Sequence, residues 1–195
     1  MKTIYSLLIA ILLLSFMSSD LHGQNEETIF GQGKVRFTGL WGGAYNAYTT
    51  YNDDFNYNGG GFFTFEINHN FLFGWTGYGT DLTLSDGRSA QIGGSDFLLG
   101  YTPNSHQVIH PIFYLQAGGG NLEVTGEVDD KVFILQPNVG LEMNVLQWFR
   151  LGVEAGYRFV NNVNQNSLES TDLSSPVIGL RLKFGFSKDW RGWDD

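Results

Sequence analysis

The sequence predicts an all-β protein, an eight-stranded antiparallel up-and-down transmembrane β-barrel. Three observations lead to this fold class. The N-terminus has the features of a secretory signal, apolar and polar residues alternate from residue 34 to 186, and charged residues are few in a chain rich in aromatics and glycine. The 195 residues suit a single domain.

The N-terminal segment has the three parts of a secretory signal peptide. Lys2 is followed by a mainly apolar run over residues 4–17, and then by mostly small or polar residues up to Gly23. The run is shorter than the roughly 20 residues of a membrane-spanning helix. We therefore expect cleavage near Gly23 and four parts: a signal peptide (1–23), an N-terminal periplasmic segment (24–33), the barrel (34–186) and a C-terminal tail (187–195).

The composition is typical of a protein whose outer surface meets lipid. Charged residues make up 16% of the chain, against roughly 25% in soluble domains, while aromatics reach 15% and glycine supplies 26 residues. The formal net charge of −9 argues against binding to the phosphate backbone of nucleic acid. The chain has no cysteine, so an exported fold must be held by hydrogen bonds and packing.

Alternation with period 2 predicts the strands, because successive side chains of a strand point to opposite faces. It is clearest near the C-terminus, where the even-numbered residues from Ile178 to Phe186 are apolar and Arg181 and Lys183 lie between them. The same pattern predicts eight strands in all, near residues 34–45, 60–68, 71–81, 91–102, 107–118, 133–145, 149–159 and 178–186.

The links between these strands alternate in length. Outer-membrane barrels have short periplasmic turns and longer extracellular loops, so with both termini periplasmic the short links fall on the periplasmic side. The glycine triplets at 59–61 and 118–120 are interpreted as loop bases or bulges. The short links are 68–70, 103–106 and 146–148, and the longer ones are 49–59, 82–89, 118–130 and 161–175.

A soluble barrel shows the same alternation with its apolar face inside, so the composition of the polar face must decide. That face is mainly Gly, Asn, Gln and Thr with scattered charges, which a narrow interior accommodates. We therefore expect the apolar face to meet lipid. Aromatic residues near strand ends are expected to form two interfacial girdles: Trp41, Tyr45, Tyr48, Trp75, Tyr78, Tyr101, Trp148, Phe149, Phe184 and Phe186.

Charged residues on the polar face are the candidate functional residues. Isolated charges are costly in a low-dielectric interior, so these side chains should pair across strands. About eight strands leave an interior filled by side chains, which favours a plug over a pore. We expect an interior polar network, in place of a hydrophobic core, made of Arg36, Glu66, Asp96, His110, Glu142, Arg150, Glu154, Arg158, Arg181 and Lys183.

Residues 99–104, 114–120, 156–158 and 180–186 carry a resemblance to a known family. The chain resembles the small eight-stranded outer-membrane barrels of the OmpA/OmpX type, and particularly the outer-membrane β-barrel proteins of Bacteroidetes, over residues 34–186. The resemblance implies the outer membrane of a Gram-negative bacterium, with outer-membrane lipid and lipopolysaccharide as partners. It also implies that the barrel-assembly machinery reads the final aromatic strand, which Phe186 matches, although the nine-residue tail after it departs from the family pattern.

We therefore expect a non-enzymatic, monomeric outer-membrane protein with a plugged polar interior, which contributes to envelope structure or surface interaction through extracellular loops. No catalytic residue, cofactor or metal site is predicted, since the chain has no nucleophile elbow, phosphate loop or Ca²⁺ loop. Two alternatives stay open. One is a lipid-modifying enzyme similar to lipid A deacylases, which a His–Ser or His–acid pair on the lipid-facing wall would indicate. The other is a soluble secreted calycin-like barrel that binds a small apolar ligand.

Overall fold

The computed structural model describes residues 35–51, 54–84, 87–126, 129–163, 168 and 170–188. The expected signal peptide, the expected N-terminal periplasmic segment and the tail beyond residue 188 lie outside these ranges. A four-residue helix, α1 (Ser170–Leu173), precedes the last strand. No helix in the described ranges is long and apolar enough to span a membrane. The strands are β1 (Phe37–Tyr51), β2 (Asp54–Ile67), β3 (Phe71–Thr83), β4 (Ser89–Tyr101), β5 (Ile109–Val124), β6 (Asp130–Leu146), β7 (Phe149–Asn161) and β8 (Ser175–Ser187).

The strands form one closed, antiparallel, up-and-down barrel, which confirms the predicted architecture. Each strand pairs with the next in the chain, and β8 pairs with β1. A hydrogen-bonded ladder that starts at Gly39 passes once around the barrel and returns to β1 at Thr49, ten residues further along. This shear tilts the strands against the barrel axis, and with eight strands it leaves an interior that side chains can fill.

Several strands are longer than the sequence pattern predicts. Because β1 ends at Tyr51 and β2 begins at Asp54, most of the expected loop 49–59 is strand, and most of the expected loop 118–130 is strand as well. The glycine triplets 59–61 and 118–120 lie within regular ladders, so their interpretation as loop bases or bulges is wrong. The outward residues of these segments are mostly polar or glycine. Alternation with apolar residues on one face is the pattern that predicts strands in this sequence, so it does not predict these segments.

The two ends of the barrel differ in what they contain, and we name them accordingly. The terminal end holds the start of β1, the end of β8 and the links 68–70, 102–108 and 147–148. At the loop end the strands are joined through 52–53, 84–88, 125–129 and 162–174, so the predicted alternation of short and longer links is wrong at 52–53, which is shorter than 102–108 at the other end. At the terminal end Asn68, His69 and Asn104 have positive φ angles of 49°, 61° and 57°. Tight turns use this left-handed region, and asparagine enters it more readily than most residues.

The outer wall carries a band of apolar side chains. On the β3–β4 pair, Phe71 lies opposite Tyr101 and Trp75 lies opposite Phe97, and all four side chains are exposed. Their ring centroids are 5.1 Å and 5.9 Å apart, respectively. Cross-strand aromatic pairs of this kind stabilise a sheet. The band therefore supports the ladder from outside, while the opposite face of each strand fills the interior.

Candidate functional site

Charged side chains in the interior form three clusters stacked along the barrel. Arg150, Glu154 and Arg158 point inward from β7 at intervals of four residues, and each belongs to a different cluster. A strand rises about 3.3 Å per residue, so neighbouring clusters are roughly 13 Å apart along it. The buried carboxylates and the buried Lys and Arg side chains of the described residues balance in number: Glu66, Asp96, Glu142 and Glu154 against Arg150, Arg158, Arg181 and Lys183.

The first cluster, nearest the terminal end, is centred on Glu142 of β6. Lys183 Nζ lies 2.8 Å from Glu142 Oε2 and 3.0 Å from Oε1. Arg150 Nη1 lies 3.3 Å from Oε1, and His110 Nε2 lies 3.2 Å from the same oxygen. Strands β5, β6, β7 and β8 each supply one of these buried side chains. The cluster therefore links four consecutive strands through a single carboxylate.

Glu66 of β2 extends this first cluster across the point where the barrel closes. Thr38 Oγ1 donates to Glu66 Oε1 at 3.0 Å, Trp41 Nε1 donates to Oε2 at 2.9 Å, and Ser187 Oγ donates to Oε1. Arg150 Nη1 lies 3.6 Å from Oε2, and its guanidinium carbon lies 4.0 Å from the centroid of the Trp41 ring. One carboxylate thus connects β1, β2, β7 and β8.

The second cluster is a bidentate ion pair enclosed by aromatic rings. Arg181 Nη2 donates to Glu154 Oε1 at 2.8 Å, and Arg181 Nε donates to Oε2 at 3.2 Å. The guanidinium carbon lies 4.4 Å from the ring centroid of Tyr114, 4.6 Å from that of Tyr45 and 4.7 Å from that of Phe62. Nη1 has no hydrogen-bond partner among the described residues, but the ring faces attract the cation and the carboxylate accepts from its other two nitrogens, so the arginine can remain charged while fully buried.

The third cluster is less completely paired. Arg158 Nε donates to Gln136 Oε1 at 2.9 Å, and with the Asn58 amide oxygen turned toward it, Nη1 donates there at 2.8 Å. The guanidinium carbon also lies 5.3 Å from the Tyr78 ring centroid. Asp96 is buried in this part of the barrel, yet its Oδ1 accepts no hydrogen bond from any residue that the structure describes. The third cluster is therefore held mainly through amide groups.

Between the third cluster and the loop end the interior becomes apolar. Leu168 and Leu173 of the link 162–174 pack there, and Ser174 fastens this link to β7 because its Oγ accepts from the Val160 N–H at 3.0 Å. The polar network therefore fills only part of the interior and does not replace a hydrophobic core at this end. We call the buried apolar group the apolar cap: Tyr78, Leu82, Leu84, Ala90, Ile92, Leu122, Val124, Val132, Ile134, Val160, Leu168 and Leu173.

The structure places most of the candidate residues inside the barrel. Arg36 differs: it precedes β1, its side chain is half-buried, and its backbone N–H donates to Asn68 Oδ1 at 2.9 Å at the terminal end. Among the described residues no group of three or more His, Asp or Glu side chains is arranged to hold a metal ion. The buried candidates are Glu66, Asp96, His110, Glu142, Arg150, Glu154, Arg158, Arg181 and Lys183.

Three aromatic residues that the sequence pattern assigns to the outer girdles lie inside instead. Trp41, Tyr45 and Tyr78 are buried, and each lies against an arginine of a different cluster. A register irregularity between Phe37 and Gly39 changes which face the following β1 residues occupy. For Tyr78 the signal was available, because strict alternation from the outward-facing Trp75 places it on the inward face.

A serine, a histidine and a carboxylate meet at the terminal end. His69 Nδ1 lies 3.2 Å from Ser187 Oγ and 3.5 Å from Glu66 Oε1, while Ser187 Oγ donates directly to Glu66. In a nucleophile relay the two ring nitrogens face the serine and the acid separately, whereas here one nitrogen faces both. Burial lowers the pKa of the His69 imidazole, which Glu66 opposes. The group lies inside the barrel at its terminal end, not on the outer wall. Its geometry is that of a hydrogen-bonded contact that connects β2 with β8.

Solved structures of known proteins share this fold. Neisserial surface protein A has a TM-score of 0.58 and 12% identity, and the match covers 78% of this chain and 99% of that one. The N-terminal β-barrel domain of Pseudomonas aeruginosa OprF has a TM-score of 0.55 and 9% identity, covering 78% of this chain and 100% of that one. No protein-family model and no curated protein matches the chain, so the resemblance to the Bacteroidetes family stays a prediction. The chain has the architecture of the small eight-stranded outer-membrane barrels.

Proposed function

We propose that the protein is a non-enzymatic outer-membrane barrel with a closed interior, which contributes to envelope structure or surface interaction through its loop end. The observation that carries this proposal is the combination of an apolar outer band with ion clusters directly behind it. In water the band would be an exposed apolar surface, whereas a bilayer matches it. A soluble calycin-like barrel would need that interior space for an apolar ligand, and the clusters occupy it.

Strand length supports a membrane-spanning arrangement with one end in water. The strands have 13 to 17 residues, whereas about 9–11 tilted residues cross a bilayer. We place the loop end outside the cell and the terminal end in the periplasm, because the longest link, 162–174, lies at the loop end and outer-membrane barrels carry their longer loops outside. The proposed partners are outer-membrane lipid, lipopolysaccharide and, during insertion, the barrel-assembly machinery. The mature protein is a monomer after signal cleavage near Gly23, and it binds no nucleic acid.

The two different kinds of filling support a closed interior. Each carboxylate of the first two clusters is paired with a cation, and the apolar cap adds an apolar layer between these clusters and the loop end. An ion crossing the barrel would have to separate buried ion pairs and then lose its hydration in the cap. We therefore propose a plug and not a pore.

Cell fractionation and electrophoresis test the membrane location. We expect the protein in the outer-membrane fraction of a Gram-negative host, with a folded band that shifts on heating in detergent. A monodisperse protein that stays folded in water without detergent would contradict the membrane location.

Planar-bilayer recording tests the closed interior separately. We expect no discrete conductance steps after insertion, with a general porin recorded in the same bilayers as the positive control. Reproducible single-channel steps would contradict the plug while leaving the membrane location in place.

A further inference from the structure

The apolar band of the outer wall ends at different heights on β2 and β3. These neighbouring strands rise together from the turn 68–70, and their outward residues remain matched as far as Gly59 and Gly79. Beyond Asn58 and Thr80, where the pairing of β2 with β3 ends, the next two outward positions of the two strands differ in chemistry. They are Tyr57 and Phe55 on β2, but Asp81 and Thr83 on β3.

The raised part of the band continues from β2 onto β1 and β8. Tyr48 pairs with Tyr57 on one side and with Ile178 on the other. The two tyrosine rings meet edge to face with centroids 5.9 Å apart, and Tyr57 Oη donates to Asn46 Oδ1 at 2.6 Å. Phe55 is 79% exposed and Ile178 is 66% exposed. We call Tyr48, Phe55, Tyr57 and Ile178 the aromatic patch.

The corresponding part of the wall on β3, β4 and β5 is polar. Asp81 pairs with Gln91, and Gln91 pairs with Glu123. Gln91 Nε2 donates to Asp81 Oδ1 at 2.8 Å, and all three side chains are exposed. Burying an exposed carboxylate and amide in lipid would be costly, so these side chains favour water. On β3, β4 and β5 the apolar part of the wall therefore ends before Asp81 is reached.

We propose that the aromatic patch is a lipid-contacting surface, so that the outer leaflet covers the wall to a greater height on β8, β1 and β2 than on β3, β4 and β5. This inference rests on the proposed membrane location. The patch is continuous with the apolar band, and tyrosine is enriched at membrane interfaces. The Tyr57 hydroxyl donates to Asn46, so the ring can enter the apolar layer without an unpaired donor. Lipids adapt to a local difference in apolar height at a modest cost.

Single-cysteine variants can measure this difference directly, because the natural chain has no cysteine. Phe55→Cys tests the patch, and Leu99→Cys lies in the apolar band. Thr83→Cys is the outward position on β3 that lies as many residues beyond Gly79 as Phe55 lies beyond Gly59 on β2. Each variant carries a nitroxide spin label and is refolded in phosphatidylcholine vesicles, with heat-shifted migration as the check on folding. The measured quantity is the ratio of the label's accessibility to oxygen and to a water-soluble nickel chelate.

We expect ratios at residues 99 and 55 that are several-fold higher than at residue 83. A high ratio at residue 99 with equal low ratios at 55 and 83 would overturn the lipid-contacting patch, and would leave it as a water-exposed surface for another macromolecule. Equal low ratios at all three positions would instead overturn the proposed membrane location. Tyr57→Cys against Asp81→Cys repeats the comparison one outward position lower and decides the matter if the Phe55 variant does not refold.

Discussion

The ion clusters and the apolar cap fill the same barrel with opposite chemistry, and on β4 and β5 the outer wall changes in step with them. On β5, Leu115 faces outward and Gln116 inward beside the clusters, whereas Glu123 faces outward and Leu122 inward at the cap. On β4 the outward residues change from Phe97 to Gln91, while the inward residues change from Asp96 to Ile92.

This exchange of apolar and polar residues between the two faces of β4 and β5 indicates which part of each strand lies in lipid and which part lies in water. In water, apolar side chains gain by turning inward, which gives the cap the arrangement of an ordinary soluble core. Where the outer wall meets lipid, an apolar side chain gains no hydrophobic free energy by turning into the barrel. Directional bonds between polar side chains must therefore hold the interior there. The clusters supply these bonds in the region that we place in the membrane.

The largest effect is expected from removing the charge at the centre of the first cluster. Glu142→Gln leaves Lys183 buried without its carboxylate, and losing one partner of a buried ion pair costs about 3–5 kcal/mol of unfolding free energy. Urea titration of the refolded protein in lipid vesicles measures it. Glu123→Gln, on the exposed outer face, should change stability by less than about 0.5 kcal/mol. Equal stability of the two variants would contradict the structural role of the clusters.

A cavity in the apolar cap should be the next most costly change. Leu122 is fully buried there, so Leu122→Ala should lower the unfolding free energy by about 2–5 kcal/mol through lost contacts and an unfilled space. The control is Leu115→Ala on the outward face of the same strand, where lipid can fill the space and the loss is smaller. A larger loss of unfolding free energy for Leu115→Ala than for Leu122→Ala would contradict the role of the apolar cap in stabilising the loop end.

Loss of one donor to Glu66 should have a smaller effect. Ser187→Ala removes the bond from β8 but leaves the donors Thr38 and Trp41 in place, so we expect about 1 kcal/mol. Urea unfolding measures the change, and Ser187→Thr, which keeps a hydroxyl, should recover most of it. A threonine variant as unstable as the alanine variant would indicate that packing, not the hydrogen bond, matters at this position.

The smallest effect is expected from the pH dependence of His69. Its pKa is lowered by burial, so the folded protein favours the neutral ring, and this contribution is present above the ordinary histidine pKa of about 6.5 and is lost as pH falls below it. His69→Gln should therefore lose less stability than the parent between pH 7.5 and pH 5.5. Gln147→Ala, an exposed change without a titratable group at the same end, should behave like the parent. If His69→Gln lost as much stability as the parent between pH 7.5 and pH 5.5, the loss could not be attributed to protonation of His69.

Local alternation was enough to predict the strands and the barrel, because it reflects two different environments on the two faces of each strand. The segment 178–186 shows this clearly, and β8 contains all of it. Alternation does not predict the strand where the inward residue is apolar and the outward residue is polar, as at Leu122 and Glu123, because polar outward residues are also typical of a loop. It also failed for Trp41 and Tyr45, since an aromatic ring suits both a lipid boundary and a buried arginine.

The sequence by itself therefore determined the type of element, the order of the strands and the burial of charge. Tertiary structure alone decided which charges meet. Glu142 and Lys183 are 41 residues apart, and Ser187 reaches Glu66 across 121 residues. Such contacts depend on the shear of the closed barrel, which sets the height of every inward side chain relative to those on distant strands. A period of 2 fixes the face that a residue occupies on its own strand, but it contains no information about that height.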